Sequence, residues 1–329
     1  MLLFVLLFSK SRTFAPSIRF LFFYMVGKNV KAHISLILAA SMWGLMSPIG
    51  KAAMDAGITG LTLANMRMFG GAVCFWLTTL FVKSEDVPPR DLLLMFFASM
   101  LGIVCNQGCF TFGLSLTSPV DSSIITTTMP IFTLVLAALF LKEPITPMKL
   151  GGLFMGSIGA LLLILGSSGN SDKAGNIWGD ILCMTSQFSF ACYMTIFKKL
   201  IAKYSIFTLM KWMFTYAAIA FIPFSYRDLS AMDFASFPLE VWMEVGFVVL
   251  FGTYFAYIFM VFGQKNLRPT VVSMYNYVQP IVGSSVAVWM GMSTFGWVKA
   301  LAALLIFVGV YLVTQSKSRA EMLAEEAKK

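Results

Sequence analysis

A shift of 150 residues lays the second half of this chain on its first. Under it Gly102 falls on Gly252, Gly113 on Gly263, Pro119 on Pro269, Pro130 on Pro280, Lys149 on Lys299 and Gly159 on Gly309. Glycine and proline set backbone geometry, so their recurrence in one register points to a single structural unit used twice. An odd number of long apolar segments separates each of these residues from its partner. Across a membrane, an odd count makes the two copies run in opposite directions.

The segments are too apolar for an ordinary soluble domain. Of the 329 residues 58% are hydrophobic and 12% charged, with a mean hydropathy of +0.82, far from the usual soluble balance. A bilayer core of about 30 Å takes roughly 20 apolar residues per helix. Ten runs of that order lie between charged or Gly/Pro breaks: 33–53, 61–82, 91–115, 120–141, 148–165, 177–199, 207–224, 241–263, 270–290 and 297–315. The predicted fold is an all-α integral membrane protein with ten transmembrane helices as two inverted five-helix repeats, residues 33–165 and 177–315. An N-terminal segment, 1–32, and a cytoplasmic tail, 316–329, flank them. The longest connection runs only from Ser225 to Glu240, which leaves no room for a soluble catalytic or output domain.

The formal charge of +9 does not indicate a nucleic-acid partner, because the basic residues sit in short loops. Those loops alternate. Lys83 with Arg90, Lys142 with Lys149, Lys198 with Lys199 and Lys203, Lys265 with Arg268, and Lys317 with Arg319 mark rich ones, whereas 116–119 has none and Lys173 and Arg227 stand alone in theirs. By the positive-inside rule both termini are cytoplasmic in a multi-pass protein of the plasma or inner membrane, as an even number of spans requires. Residues 1–24 fit less well, since Met1 to Phe8 is too short to span and lacks the basic start of a signal peptide. They read either as an upstream start ahead of Met25 or as an amphipathic stretch on the membrane surface, with Arg12 and Arg19 facing head groups. Cys74, Cys105, Cys109, Cys183 and Cys192 all fall in spans without metal-type spacing. They read as packing residues, and no metal or cofactor is expected.

Several short signatures occur in order: Trp43-Gly44 in the first span, Arg67 in the second, Pro130 in the fourth, Glu143 after Leu141-Lys142, and the Gly-rich stretch Gly151 to Leu165, with Pro280 and Gly309 matching in the second half. Together they resemble the EamA repeat of the drug/metabolite transporter superfamily, over about residues 33–315. The resemblance implies transport of small solutes, a class that includes amino acids, nucleotide-related metabolites and drugs, with export as the expected direction. Two positions depart from the repeat. Ser293 stands opposite Glu143, and Tyr193-Met194 opposite Trp43-Gly44.

In repeat transporters the solute site lies near the midplane between the halves. Depth selects Trp43, Asn106, Gln107, Thr126, Gln187, Tyr193, Tyr254, Tyr257, Tyr275, Asn276 and Gln279 as candidate substrate-binding residues, and Arg67 joins them as the one strongly cationic side chain well within a span. Amides at that depth are costly unless paired, so they face a cavity or another helix. Asn106 shares a stripe with Gly102, Cys109 and Gly113, which serves either close helix packing or cavity lining. An i, i+4 relation puts Tyr275 and Gln279 on one face, with Asn276 turned about 100° away. Trp43, Tyr254, Tyr257 and Tyr275 together form an aromatic set that fits an amino acid, an amine or a flat metabolite, or else packs a chain with 32 Phe. Arg67 either snorkels outward or, buried, attracts a carboxylate or phosphate. Pro130 and Pro280 are candidate hinges, each removing a backbone donor and kinking its span.

The partners expected are a small-molecule solute and the lipid bilayer. Asp91, Asp180, Glu240 and Glu244 lie at span ends, and the single His33 at a span entry. That favours a facilitator or exchanger over an intramembrane proton relay. The alternatives are an intramembrane enzyme acting on lipid or peptide and a non-transporting scaffold. The first lacks HExxH, GxSxG and any Ser/His or Cys/His set; the second lacks an output domain.

Overall fold

The computed structural model describes residues 28–83, 85–117, 122, 125–167, 177–289, 296–317 and 322, and these are helical with connecting loops. The N-terminal 1–24 stretch, most of the C-terminal tail and Pro119 lie outside the described residues. The helices are α1 Lys28–Asp55, α2 Gly60–Thr79, α3 Pro89–Ser99, α4 Asn106–Leu116, α5 Met129–Phe140, α6 Pro147–Ser167, α7 Ile177–Ile196, α8 Lys198–Lys203, α9 Ile206–Ala231, α10 Leu239–Val249, α11 Ala256–Asn266, α12 Pro269–Met274, α13 Val278–Trp289 and α14 Trp297–Gln315. Four stretches are long and apolar enough to cross a membrane: Asn29–Asp55, Pro89–Leu116, Ile206–Ala231 and Leu239–Asn266. Met129–Phe140, Pro147–Leu162 and Ala300–Gln315 are shorter apolar helices.

The outer surface explains why such a chain is a membrane protein. Phe69, Leu77, Phe81, Ile219, Ile222 and Phe224 are all exposed. A soluble monomer does not carry so extensive an apolar surface. Polar side chains face the interior or cap helix ends. Thr59 caps α2 by accepting from the Thr62 amide at 3.2 Å, and Ser205 caps α9 by accepting from the Thr208 amide at 3.2 Å, each satisfying an amide that has no partner within its helix.

The 150-residue register reappears in the backbone. A π-helical turn at Met100–Cys105 joins α3 to α4, and a second at Leu250–Phe255 joins α10 to α11. All three elements of Pro89–Leu116 recur with their limits at the same offset in Leu239–Asn266. Helices related by the shift also pack on each other and run antiparallel. In the α6/α14 contact, a Cβ on Gly309 would lie 2.6 Å from the Gly152 carbonyl oxygen, and one on Gly159 would lie 2.6 Å from that of Ala302. The shift exchanges those two contacts, and the backbones touch because the glycines have no side chain to hold them apart. In the α2/α9 contact, Asn65 Nδ2 donates to Ser225 Oγ at 2.8 Å and Gly71 meets the Phe214 ring.

The prolines do not kink continuous spans as their sequence position suggests. Pro130 is the second residue of α5, just after a turn at Thr127 and Thr128, and Pro280 is the third residue of α13, after a 3-10 turn at Tyr275–Tyr277. A proline in the first turn costs no ladder bond, because its missing N–H would have had no partner there. The predicted span at 270–290 is thus two helices with a tight turn between them. The backbone leaves the α-helical ladder within a continuous helix at the two π turns, which composition did not mark.

Candidate functional site

A cavity of about 590 Å³ lies where elements from both halves meet, bordered by α1, α2, α4, α5, α6, α7, α11, α13 and the turn before α13. It reaches from Trp43 along α1 through Met46, Pro48 and Lys51 to Asp55. Lys51 and Asp55 pair at 3.0 Å with side chains 38% and 65% exposed, so this end opens outward. The opposite end is filled. There Lys149 Nζ meets Glu143 Oε2 at 2.9 Å, Thr270 Oγ1 donates to the same oxygen at 2.8 Å, and Ser157 and Tyr277 share a hydroxyl bond of 2.7 Å. Lys198 donates to the carbonyls of Gln264 and Leu267, tying the end of α11 to α8.

The π turns lie behind the cavity wall and hold lining side chains in place. A turn widened from i, i+4 to i, i+5 disturbs the regular backbone ladder. The Gly252 oxygen accepts from Trp43 Nε1 at 3.0 Å and lies 3.5 Å from Arg67 Nη2. Arg67 Nε also donates to Thr253 Oγ1 at 3.0 Å. In the other half, the Gly102 oxygen accepts from the Tyr257 hydroxyl at 3.4 Å, and that hydroxyl accepts from Gln107 Nε2 at 2.9 Å. Both glycines are needed for close approach: a Cβ at Gly252 would lie 2.5 Å from Met46 Sδ, and one at Gly102 2.7 Å from the Tyr193 ring. The indole of Trp43 makes edge contacts with Tyr257 at 5.9 Å and Phe190 at 6.3 Å between centroids.

Of the candidate substrate-binding residues, Trp43, Arg67, Asn106, Gln107, Thr126, Gln187, Tyr257, Asn276 and Gln279 border the cavity, as does Pro280. Arg67 is buried, 5% exposed, and does not snorkel. Asn106 reconciles the two readings of its stripe, since Nδ2 bonds Ser186 at 3.0 Å and borders the cavity while Gly113 packs against Cys183. Three tyrosines lie elsewhere. Tyr193 is buried on Gly102, Tyr254 bonds Thr78 at 2.6 Å, and Tyr275 bonds His33 at 2.6 Å. Pro130 is buried in α5 outside the lining. The i, i+4 expectation for Tyr275 and Gln279 fails because the 3-10 turn has three residues per turn. It instead aligns Gln279 with Asn276, whose side chains bond at 3.1 Å.

Sequence reasoning missed Phe110 and Phe190 in the lining, which nothing distinguishes among so many phenylalanines. It also missed the carbonyls of Gly102 and Gly252, although the shift had paired those two residues.

A helical membrane protein with a cavity between two halves, its largely apolar wall set with a few polar groups, open at one end and filled at the other, has the form of a membrane transporter. The model of the EamA-like transporter family matches residues 30–165 and again 177–315, and the chain belongs to that family. Its relatives are named for transport rather than catalysis. The uncharacterized transporter YyaM of Bacillus subtilis is 22% identical over 88% of this chain and 92% of its own length. An uncharacterized transporter of Archaeoglobus fulgidus is 26% identical over 77% and 87%, and the uncharacterized inner membrane transporter YedA of Escherichia coli K12 is 25% identical over 78% and 82%. A protein of known crystal structure shares the fold, with a TM-score of 0.68 at 15% identity over 87% of this chain and 98% of its own. The chain is therefore a transporter of the membrane, not an enzyme.

Proposed function

We propose that this chain is a secondary transporter of ten spans, two inverted five-helix repeats, which moves small polar or amphipathic metabolites by alternating access around the cavity. The antiparallel packing of α2 on α9 and of α6 on α14 supports the inversion. One observation carries the reading: a cavity shared by both halves opens past Lys51 and Asp55 while Glu143, Lys149 and Thr270 close the other end. A state open to one side only is what alternating access requires of each half-cycle. With both termini cytoplasmic, the open end faces outward.

The residues that border the cavity, Trp43, Arg67, Asn106, Gln107, Thr126, Gln187, Tyr257, Asn276 and Gln279, hold the solute. The interrupted backbone before Pro130 and Pro280 is where each half flexes. No carboxylate borders the deep part of the cavity among the described residues, since Asp55 sits at the mouth, so the solute's own gradient drives facilitated or exchange transport, with export the direction the family resemblance implies. Counterflow by the purified protein in liposomes tests this, with amino acids, organic acids, nucleosides and amines as a panel. Uptake against preloaded solute is expected for at least one class. Folded protein that exchanges none of them overturns the reading.

A further inference from the structure

Arg67 is the one cation deep in this cavity among the described residues, and its charge is not matched. It is 5% exposed in the middle of α2. Three ion pairs occur among the described residues, Lys51 with Asp55, Lys149 with Glu143 and Lys203 with Asp91, and Arg67 is in none of them. Its protein contacts are two neutral oxygens, Thr253 Oγ1 and the Gly252 carbonyl, which engage Nε and Nη2. A guanidinium has five N–H donors in a planar fork, and the Nη1 end has no protein hydrogen bond. Removing such a charge from water costs several kcal/mol unless an opposite charge offsets it.

Resting on the transporter reading, we infer that the solute is an organic monoanion, a carboxylate on an apolar body, and that Arg67 binds its carboxylate.

The lining sets both halves of that description. At the mouth Lys51 and Asp55 neutralise each other, which leaves a single positive charge facing the interior. One guanidinium matches one carboxylate in fork geometry. A phosphate dianion would bring a second charge without a partner. A cationic amine would meet Arg67 with no carboxylate nearby, and the ammonium of a zwitterion would find only neutral amides such as Gln107, Asn276 and Gln279. Around the cation the wall is apolar, with Trp43, Phe110, Phe190, Met129 and Ile164 offering rings and chains to an apolar body.

The test uses the purified full chain and a panel of aliphatic and aryl monocarboxylates, each with its isosteric carboxamide and its amine. Thermal stabilisation reports binding, and counterflow in liposomes reports transport. The acids are expected to bind and to exchange, while their amides and amines bind at least about tenfold more weakly, the size of a charge-assisted bond. Arg67→Gln is expected to abolish most of the preference for acid over amide, with Arg67→Lys retaining part of it. Where Arg67→Gln does not fold, the acid, amide and amine series on the unaltered protein still decides. Amides or amines that bind as well as their acids, or a folded Arg67→Gln protein with undiminished acid preference, overturn the inference. Counterflow of neutral or cationic solutes alone overturns it and leaves the transporter reading standing; no counterflow of any solute overturns both.

Discussion

The indole of Trp43 donates to the Gly252 carbonyl at 3.0 Å, so the first helix of one half is fastened to the π turn of the other. The counterpart of Trp43 under the shift, Tyr193, lies with its ring against Gly102 in the other π turn. Both halves thus press an aromatic residue onto a glycine of the opposite half. Only the Trp43 side lets the aromatic border the cavity, because Tyr193 is 1% exposed and enclosed.

Trp43→Phe keeps the ring contacts and removes the donor. A net hydrogen bond is worth about 1 kcal/mol, so the protein should unfold a few degrees lower in detergent while solute exchange falls. Unchanged exchange with a lowered midpoint would make the bond purely structural.

The two π-turn glycines should tolerate alanine unequally. At Gly102 a methyl group meets the Tyr193 ring at 2.7 Å, and at Gly252 it meets the Sδ of Met46 at 2.5 Å. Methionine yields by rotating and an enclosed ring does not. Overpacking costs about 1–3 kcal/mol; Gly102→Ala is expected in the upper part of that range and Gly252→Ala in the lower. Thermal unfolding of the two variants side by side checks the order, and the reverse order contradicts it.

Glu143→Gln leaves the Lys149 ammonium, 1% exposed, without its anion. Breaking a buried pair in this way costs about 3–5 kcal/mol. Because the pair belongs to the filled end of the protein, its loss should also shift the population toward the opposite opening. A cysteine introduced at Asn276 in a cysteine-free background then gains reactivity toward reagents from the Glu143 side. A destabilised variant with unaltered labelling would confine Glu143 to a structural role.

Sidedness is checked separately. Single cysteines in the 55–60 and 83–90 loops should label from opposite faces of the membrane, with the second accessible from the cytoplasm. Labelling of both from one face would overturn the inverted arrangement of spans.

Much of the architecture was legible because membrane helices announce themselves by apolar length and because glycine contacts recur with the repeat. The register that paired Gly159 with Gly309 reappears as the reciprocal α6/α14 contact. The candidate site was legible at the level of depth. Depth alone cannot tell which face of a helix meets a cavity when both faces are apolar or aromatic. Tyr254 and Tyr275 therefore looked equivalent to Tyr257, yet they bond Thr78 and His33 outside the lining.

The sequence by itself determined that this chain is a helical membrane protein built from a duplicated unit, since hydrophobic length and Gly/Pro punctuation are properties of single segments and their order. Only the tertiary structure decided which side chains converge. The 3-10 turn at Tyr275–Tyr277 re-aimed Asn276 beside Gln279, the π turn presented Gly252 to Trp43 and Arg67, and the fold left Arg67 buried beside the cavity with no carboxylate paired to it among the described residues. Each of these depends on how one helix is rotated against another, and that rotation is set by contacts between residues far apart in the chain.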